Sequence, residues 1–124
     1  MTDCISTFFE AWQIDADSTR KDKISGAVVN SVQYDDPRTE ETLIGLEALC
    51  DYIGMFTQNA PGWSAKVVAK DTISNYSRVT VAFGGPGPDG VDLVQHGQYF
   101  VHVVDERIAK MVGFAGLSVP PESS

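Results

Sequence analysis

Three polar side chains that could take part in acid–base chemistry recur at alternate positions in one apolar stretch. They are His96, Gln98 and His102, and Phe100 lies between them in the same alternation. Successive side chains of a β-strand point to opposite faces, so these four would share one face. A histidine can exchange a proton near neutral pH, and a glutamine amide can donate a hydrogen bond to an oxyanion. If this face lines a pocket, it supplies polar groups to an apolar chamber.

The same two histidines also allow interpretations in which they take no part in acid–base chemistry. His96 could lie near the mouth of a pocket and His102 near the end of a sheet, both in contact with water. They could also bind a metal ion, but no third ligand has an obvious placement, so no metal site is expected.

A second group of candidates is the segment Tyr34-Asp35-Asp36-Pro37. The alternation of Val32 and Tyr34 predicts a short strand, and Pro37 favours extended backbone at Asp36. The Tyr34 hydroxyl could then lie beside the Asp36 carboxylate. The alternative is that Asp36 is a turn residue whose side chain accepts hydrogen bonds from nearby backbone N–H groups.

Helical patterns come first in the chain and strand patterns follow. Apolar residues recur at spacings of three and four in three predicted helices, over 3–16, 19–28 and 45–58. After Gly62 the period changes to two, which predicts strands over 63–74, 76–84, 91–104 and 107–116. This order predicts a single α+β domain over 1–117, in which N-terminal helices cover an antiparallel sheet, and a flexible tail over 118–124.

Composition and charge exclude several classes of partner. The 124 residues include 9 basic and 17 acidic side chains, a net charge of −8, so neither nucleic acid nor an anionic membrane surface is an expected partner. The first ten residues lack the pattern of a signal peptide, and no apolar run is long enough to span a membrane. Cys4 and Cys50 form no metal or redox motif. A cytoplasmic location is expected.

The predicted strand over 91–104 is apolar on both of its faces. An antiparallel sheet with one face in water should instead alternate between apolar and polar residues. One face is therefore expected to pack on the helices and the other on a second copy, which predicts a homodimer through the sheet.

The order of three segments resembles the nuclear transport factor 2-like superfamily, also called SnoaL-like or ketosteroid isomerase-like. The first is the opening helix with Phe8-Phe9-Glu10-Ala11-Trp12. The second is Tyr34-Asp35-Asp36-Pro37 with the helix that begins near Gly45-Leu46-Glu47-Ala48-Leu49, and the third is the pair of strands at 95–104 and 107–116. The resemblance covers about residues 3 to 116.

The resemblance implies that the curved sheet wraps into a cone with an internal pocket, a cystatin-like or SnoaL-like roll. Asp36 stands in an aspartate–proline context similar to that of the base that removes a proton beside a carbonyl in ketosteroid isomerase-like members. The position resembling the oxyanion-hole tyrosine holds Phe9, and the one resembling the protonated acid holds Gln98. Steroid isomerisation itself is therefore not expected.

Members of this superfamily include isomerases, polyketide cyclases, dehydratases and epoxide hydrolases, and others are binding or association domains. The resemblance implies cofactor-independent acid–base chemistry on a small hydrophobic molecule, with Asp36 as base and Gln98, His96 or Tyr34 orienting or polarising the substrate. The residues expected to line the pocket are Phe9, Trp12, Trp63, Phe83, Phe100, His102 and Phe114, although a core wall would have the same composition. The alternatives are a non-catalytic, homodimeric ligand-binding or association domain, and a module that binds another protein through the sheet face.

Overall fold

The computed structural model describes residues 3–116, in which three α-helices precede or interrupt a six-stranded sheet. The helices are α1 (Cys4–Glu10), α2 (Asp17–Ala27) and α3 (Leu46–Asn59), and a 3₁₀ turn (Ala11–Gln13) follows α1. The strands are β1 (Val28–Asp35), β2 (Leu43–Ile44), β3 (Ser64–Ile73), β4 (Tyr76–Pro86), β5 (Asp92–Val104) and β6 (Arg107–Ala115). The predicted α+β class is confirmed. The predicted tail over 118–124 lies outside the described residues.

The sheet is curved and unclosed, with the strand order β2-β1-β6-β5-β4-β3. Strands β3 to β6 form the predicted antiparallel meander, but β1 runs parallel to β6. The prediction of a wholly antiparallel sheet is wrong at this pair, because α3 and four strands separate β1 from β6 in the chain and no hairpin fixes their direction. Strand β2 was not predicted, because a two-residue strand is too short to show a period.

The helices pack on the concave face of the sheet and form the core with it. Asp3 caps α1 by accepting a hydrogen bond from the Ser6 amide at 2.8 Å, as expected for an N-terminal aspartate. The predicted first helix over 3–16 is shorter in the structure, because the chain tightens into the 3₁₀ turn and is extended at Ile14. The largest fully buried side chains include Phe8, Phe9, Ile24, Tyr34, Leu49, Ile53, Ile108 and Met111.

A buried arginine joins α2 to α3. Arg20 is only 3% exposed, and its guanidinium donates to the Ile14 carbonyl at 2.7 Å, to the Asp15 carbonyl at 3.3 Å and to the Thr57 hydroxyl of α3 at 3.4 Å. It also forms an ion pair with Asp17. Gly54 of α3 leaves room for it, since a Cβ atom there would lie 2.9 Å from a guanidinium nitrogen. Arg20 therefore fixes how the two helices meet above the sheet.

In the range 3–116, none of the helices has the length and apolar character needed to cross a membrane.

Candidate functional site

A cavity of about 720 Å³ lies between the helices and the concave face of the sheet. Its volume is in the range of pockets that enclose small organic molecules. The walls are largely aromatic, which favours an apolar occupant. The aromatic side chains that line it are Trp12, Tyr52, Phe56, Trp63, Phe83, Tyr99 and Phe114.

Asp36, at the end of β1, brings a carboxylate to this cavity. Its Oδ2 atom accepts hydrogen bonds from the Tyr34 hydroxyl at 2.7 Å and from the Tyr52 hydroxyl at 2.5 Å. Its Oδ1 atom accepts from the backbone amides of Arg38 at 2.8 Å and Thr39 at 3.1 Å. One oxygen thus stabilises the local turn, as the turn interpretation predicts, and the other accepts hydrogen bonds from two tyrosine hydroxyls.

Three tyrosine hydroxyls form a chain that ends at this carboxylate. The Tyr34 and Tyr99 hydroxyl oxygens are 3.3 Å apart, and Tyr52 reaches Asp36 from α3. Burial raises the pKa of Tyr34 well above its ordinary value of 10, and burial is also the main cause of the raised pKa of Tyr52 and of Tyr99. All three are therefore neutral hydrogen-bond donors at physiological pH.

The raised pKa values predict a loss of stability at alkaline pH. A tyrosine whose pKa is raised by folding stabilises the native state fully below its unfolded pKa of about 10, and this contribution is lost as the pH rises through the folded pKa. We therefore expect the free energy of unfolding to fall above about pH 10, and the 295 nm absorbance of Tyr34, Tyr52 and Tyr99 to rise only with unfolding. Tyr76→Phe allows the signal of the exposed fourth tyrosine to be subtracted. Ionisation of these three in a still-folded chain would contradict the prediction.

The predicted site residues at the cavity come from the 3₁₀ turn, from the loops that follow β1 and α3, and from strands β4, β5 and β6. Asp36, Trp12, Trp63 and Phe83 line the cavity, and His96 and Phe114 lie at its exposed rim. Tyr34 is fully buried behind Asp36 and reaches the cavity only through that carboxylate. Phe9, expected in the pocket, is instead a core residue, because α1 presses its ring against that of Tyr99 with centroids 5.0 Å apart.

The prediction that the even-numbered face of β5 lines the pocket is wrong. Gln98, Phe100 and His102 lie on the outer face of the sheet, since Tyr99 and Val101, which alternate with them, are buried against the helices. Phe100 packs against Phe114, and His102 stacks on Tyr76 of β4 with ring centroids 4.7 Å apart. Neither Gln98 nor His102 can therefore polarise a substrate in the cavity.

Two tyrosines of the site, Tyr52 and Tyr99, were not predicted from the sequence. Tyr52 is three residues after Leu49 and four before Phe56, so it lies on the apolar face of α3 that packs against the core. Its hydroxyl is a polar group on that otherwise apolar face. Tyr99 has space for its ring because its cross-strand neighbour on β6 is Gly113, where a Cβ atom would come within 2.5 Å of that ring. A glycine inside an apolar strand is the signal that could have indicated such a close approach.

Among residues 3–116, no group of three or more His, Cys, Asp or Glu side chains is close enough together to hold a metal ion.

The sequence matches no protein-family model, and it matches no curated protein. The fold, in contrast, is found in solved structures. A candidate isomerase of the SnoaL-like family from Agrobacterium tumefaciens is 24% identical and superimposes with a TM-score of 0.77, over 92% of this chain and 95% of that one. A candidate SnoaL-like polyketide cyclase from Jannaschia is 13% identical, with a TM-score of 0.73 over 90% and 81% of the two chains.

Other similar structures carry the same fold without an assigned reaction. A protein from Catenulispora acidiphila with a ketosteroid isomerase-like fold, solved in complex with trimethylamine, is 13% identical, with a TM-score of 0.73 over 93% of this chain and 86% of that one. This chain therefore has the SnoaL-like, or nuclear transport factor 2-like, fold. At these levels of identity the similarity concerns the fold, and the chemistry has to be argued from the site.

Proposed function

We propose that this chain binds a small hydrophobic carbonyl compound in the cavity and transforms it by cofactor-independent acid–base chemistry with Asp36 as the base. The observation that carries the proposal is a carboxylate held at the wall of an aromatic cavity by two neutral tyrosine hydroxyls. Several similar structures are candidate isomerases or polyketide cyclases, which supports the same class of reaction.

The proposed step is the removal of a proton from carbon adjacent to a carbonyl group. The proton moves to Asp36 Oδ2, which gives up one of its two tyrosine hydrogen bonds to receive it, and the electron pair of the C–H bond forms an enolate whose charge lies on the carbonyl oxygen. Return of the proton to another carbon gives isomerisation, and attack by the enolate carbon on a second carbonyl gives cyclisation. An apolar cavity suits this chemistry because hydrogen bonds to a developing oxyanion are stronger where water is excluded.

A test that does not require the natural substrate is deuterium exchange. The wild-type protein is incubated in D₂O with a panel of apolar ketones, such as α-tetralone, β-tetralone and cyclohex-3-enone, and loss of the α-proton signals is followed by NMR. We expect saturable exchange above the buffer rate for the ketones that fit the cavity. Exchange at the buffer rate for every ketone of the panel would contradict the proposal.

A second function, association with another copy of the chain, is supported by a different surface. The outer face of the sheet exposes apolar side chains, among them Phe100 at 48% and Phe114 at 55% exposure, whose rings pack edge to face with centroids 5.8 Å apart. Val68 and Val94 are exposed as well. A second copy that covers this face would remove these apolar groups from water, and it would lie beside the rim of the cavity, to which Phe114 also contributes.

Sedimentation tests this association. At micromolar concentration we expect a dimer for the wild type and a monomer for the double variant Phe100→Asp with Phe114→Asp, because charges at the centre of an apolar interface oppose its burial. Ile44→Asp is the matched control, since Ile44 is exposed on the short edge strand β2. A monomeric wild type, or a monomeric control variant, would contradict association through the sheet face.

A further inference from the structure

The directions of the hydroxyl hydrogens in the tyrosine chain follow from counting protons. An ionised carboxylate can only accept hydrogen bonds, so both Tyr34 and Tyr52 donate to Asp36 Oδ2. Each hydroxyl has a single hydrogen, and that of Tyr34 is already used. In the contact between Tyr34 and Tyr99, Tyr99 is therefore the donor. The hydrogens of Tyr34 and Tyr52 therefore point to Asp36, and that of Tyr99 points to Tyr34.

A proton arriving at Asp36 changes this arrangement. A neutral carboxyl group has one O–H to donate, and when it donates to the Tyr34 oxygen the hydrogen of Tyr34 is free to turn toward Tyr99. The hydrogen of Tyr99 then loses its acceptor and becomes available to the cavity. The Tyr34–Tyr99 contact, at 3.3 Å, is the longest of the three and therefore the one that most readily changes direction.

We propose that Tyr99 is the catalytic donor that holds the carbonyl oxygen of the substrate, and that uptake of the substrate proton by Asp36 releases this donor through Tyr34. Tyr99 lines the cavity and can contact a substrate, whereas Tyr34 is fully buried and acts as a positioning residue. The proton balance is closed, because the proton goes to Asp36, the electron pair stays on the enolate, and Tyr34 and Tyr99 only redirect their hydrogens. The inference rests on the proposed function and deepens it.

The arrangement also narrows the substrate class. The Asp36 carboxylate and the Tyr99 hydroxyl are separated by a single tyrosine hydroxyl, so a substrate must present an acidic C–H and a carbonyl oxygen within a few ångströms of each other. A ketone with its acidic carbon beside the carbonyl, or an unsaturated ketone with the acidic carbon two atoms further along, meets this requirement. Neither class needs a charged group on the substrate.

The first test uses the deuterium exchange of the ketone that the wild type turns over fastest. Tyr99→Phe should reduce kcat about a hundredfold with little change in KM, as expected for loss of one oxyanion donor. Tyr34→Phe removes the acceptor of the Tyr99 hydroxyl, so Tyr99 can donate to the substrate before any proton moves, and kcat should fall less than in Tyr99→Phe. The double variant should be no slower than Tyr99→Phe alone, because Tyr34 acts through that donor. Tyr52 lies on the other side of the carboxylate and does not contact Tyr99. The fold-reductions in kcat caused by Tyr52→Phe and Tyr99→Phe should therefore multiply in the double variant. If Tyr99→Phe retains the wild-type kcat while Asp36→Asn is inactive, this inference fails and the proposed function stands.

The second test needs no turnover. The side-chain amide introduced by Asp36→Asn can donate to Tyr34 as a protonated carboxyl would, and ¹³C labels at the tyrosine Cζ atoms report hydrogen bonding of each hydroxyl. We expect the Tyr99 signal to shift in Asp36→Asn relative to wild type, and Asp36→Asn to cause no further shift when it is added to Tyr34→Phe. An unchanged Tyr99 signal in Asp36→Asn, or an equal shift caused by Asp36→Asn in the Tyr34→Phe background, would overturn the inference even if no ketone of the panel exchanges.

Discussion

Asp36→Asn should lower the rate of ketone deuterium exchange by about a thousandfold, the contribution typical of a positioned general base. Asparagine has nearly the same shape as aspartate and keeps an oxygen that can accept from the Arg38 and Thr39 amides, so the turn after β1 should survive. It cannot accept the substrate proton at neutral pH. The measurement is kcat for exchange, together with the dissociation constant of the ketone, which should change little.

Asp35→Asn is the matched control for this prediction. Asp35 is the adjacent carboxylate, partly buried like Asp36, but its side chain accepts from the Thr42 hydroxyl and does not line the cavity. We expect nearly wild-type exchange from it. Equal losses in the two variants would indicate a general effect of charge or stability, and wild-type exchange in Asp36→Asn would exclude Asp36 as the base.

Arg20→Met should lower the free energy of unfolding by about 3 kcal/mol, the largest stability effect we expect from one substitution outside the apolar core. Methionine fills a similar volume but donates no hydrogen bond, so the carbonyls of Ile14 and Asp15 and the Thr57 hydroxyl lose this donor. Asp17 is well exposed and stays hydrated, so its lost ion pair adds little. The measurement is urea unfolding of the variant and the wild type.

Lys21→Met provides the comparison on the same helix. Lys21 forms an ion pair with Glu47 of α3, but the glutamate is largely exposed to water, so removal of the charge should change stability little. If both variants are destabilised equally, the effect comes from the loss of positive charge on α2. If neither is, Arg20 does not join the helices in the way its hydrogen bonds indicate.

The parts of the fold that depend on local pattern were predictable from the sequence. The change from a period of 3.6 to a period of two after Gly62 separates the helices from the strands β3 to β6, and the boundaries differ by only a few residues. The parallel pairing of β1 with β6 was not predictable in this way. It depends on which strand edge is free after the whole chain has folded.

The candidate site also has one part that could be predicted from the sequence and one part that could not. Tyr34 and Asp36 are two residues apart, so their hydrogen bond could be expected from a short strand that ends at a turn. The inward face of β5 could not be inferred, because both of its faces are apolar and the alternation is the same whichever one meets the helices. If the other face of β5 met the helices, Gln98 and Phe100 would point inward and Tyr99 would point outward. The tyrosine chain therefore had to be read from the structure.

The central claim is that a hydrophobic ligand binds in the cavity beside Asp36. It is tested most directly by intermolecular nuclear Overhauser effects between bound α-tetralone and the labelled aromatic side chains. The account predicts contacts with the rings of Trp12, Phe83 and Tyr99, which line the cavity together with the carboxylate. Contacts confined to Phe100 on the outer face of the sheet, or no contacts at saturating ketone, would contradict it.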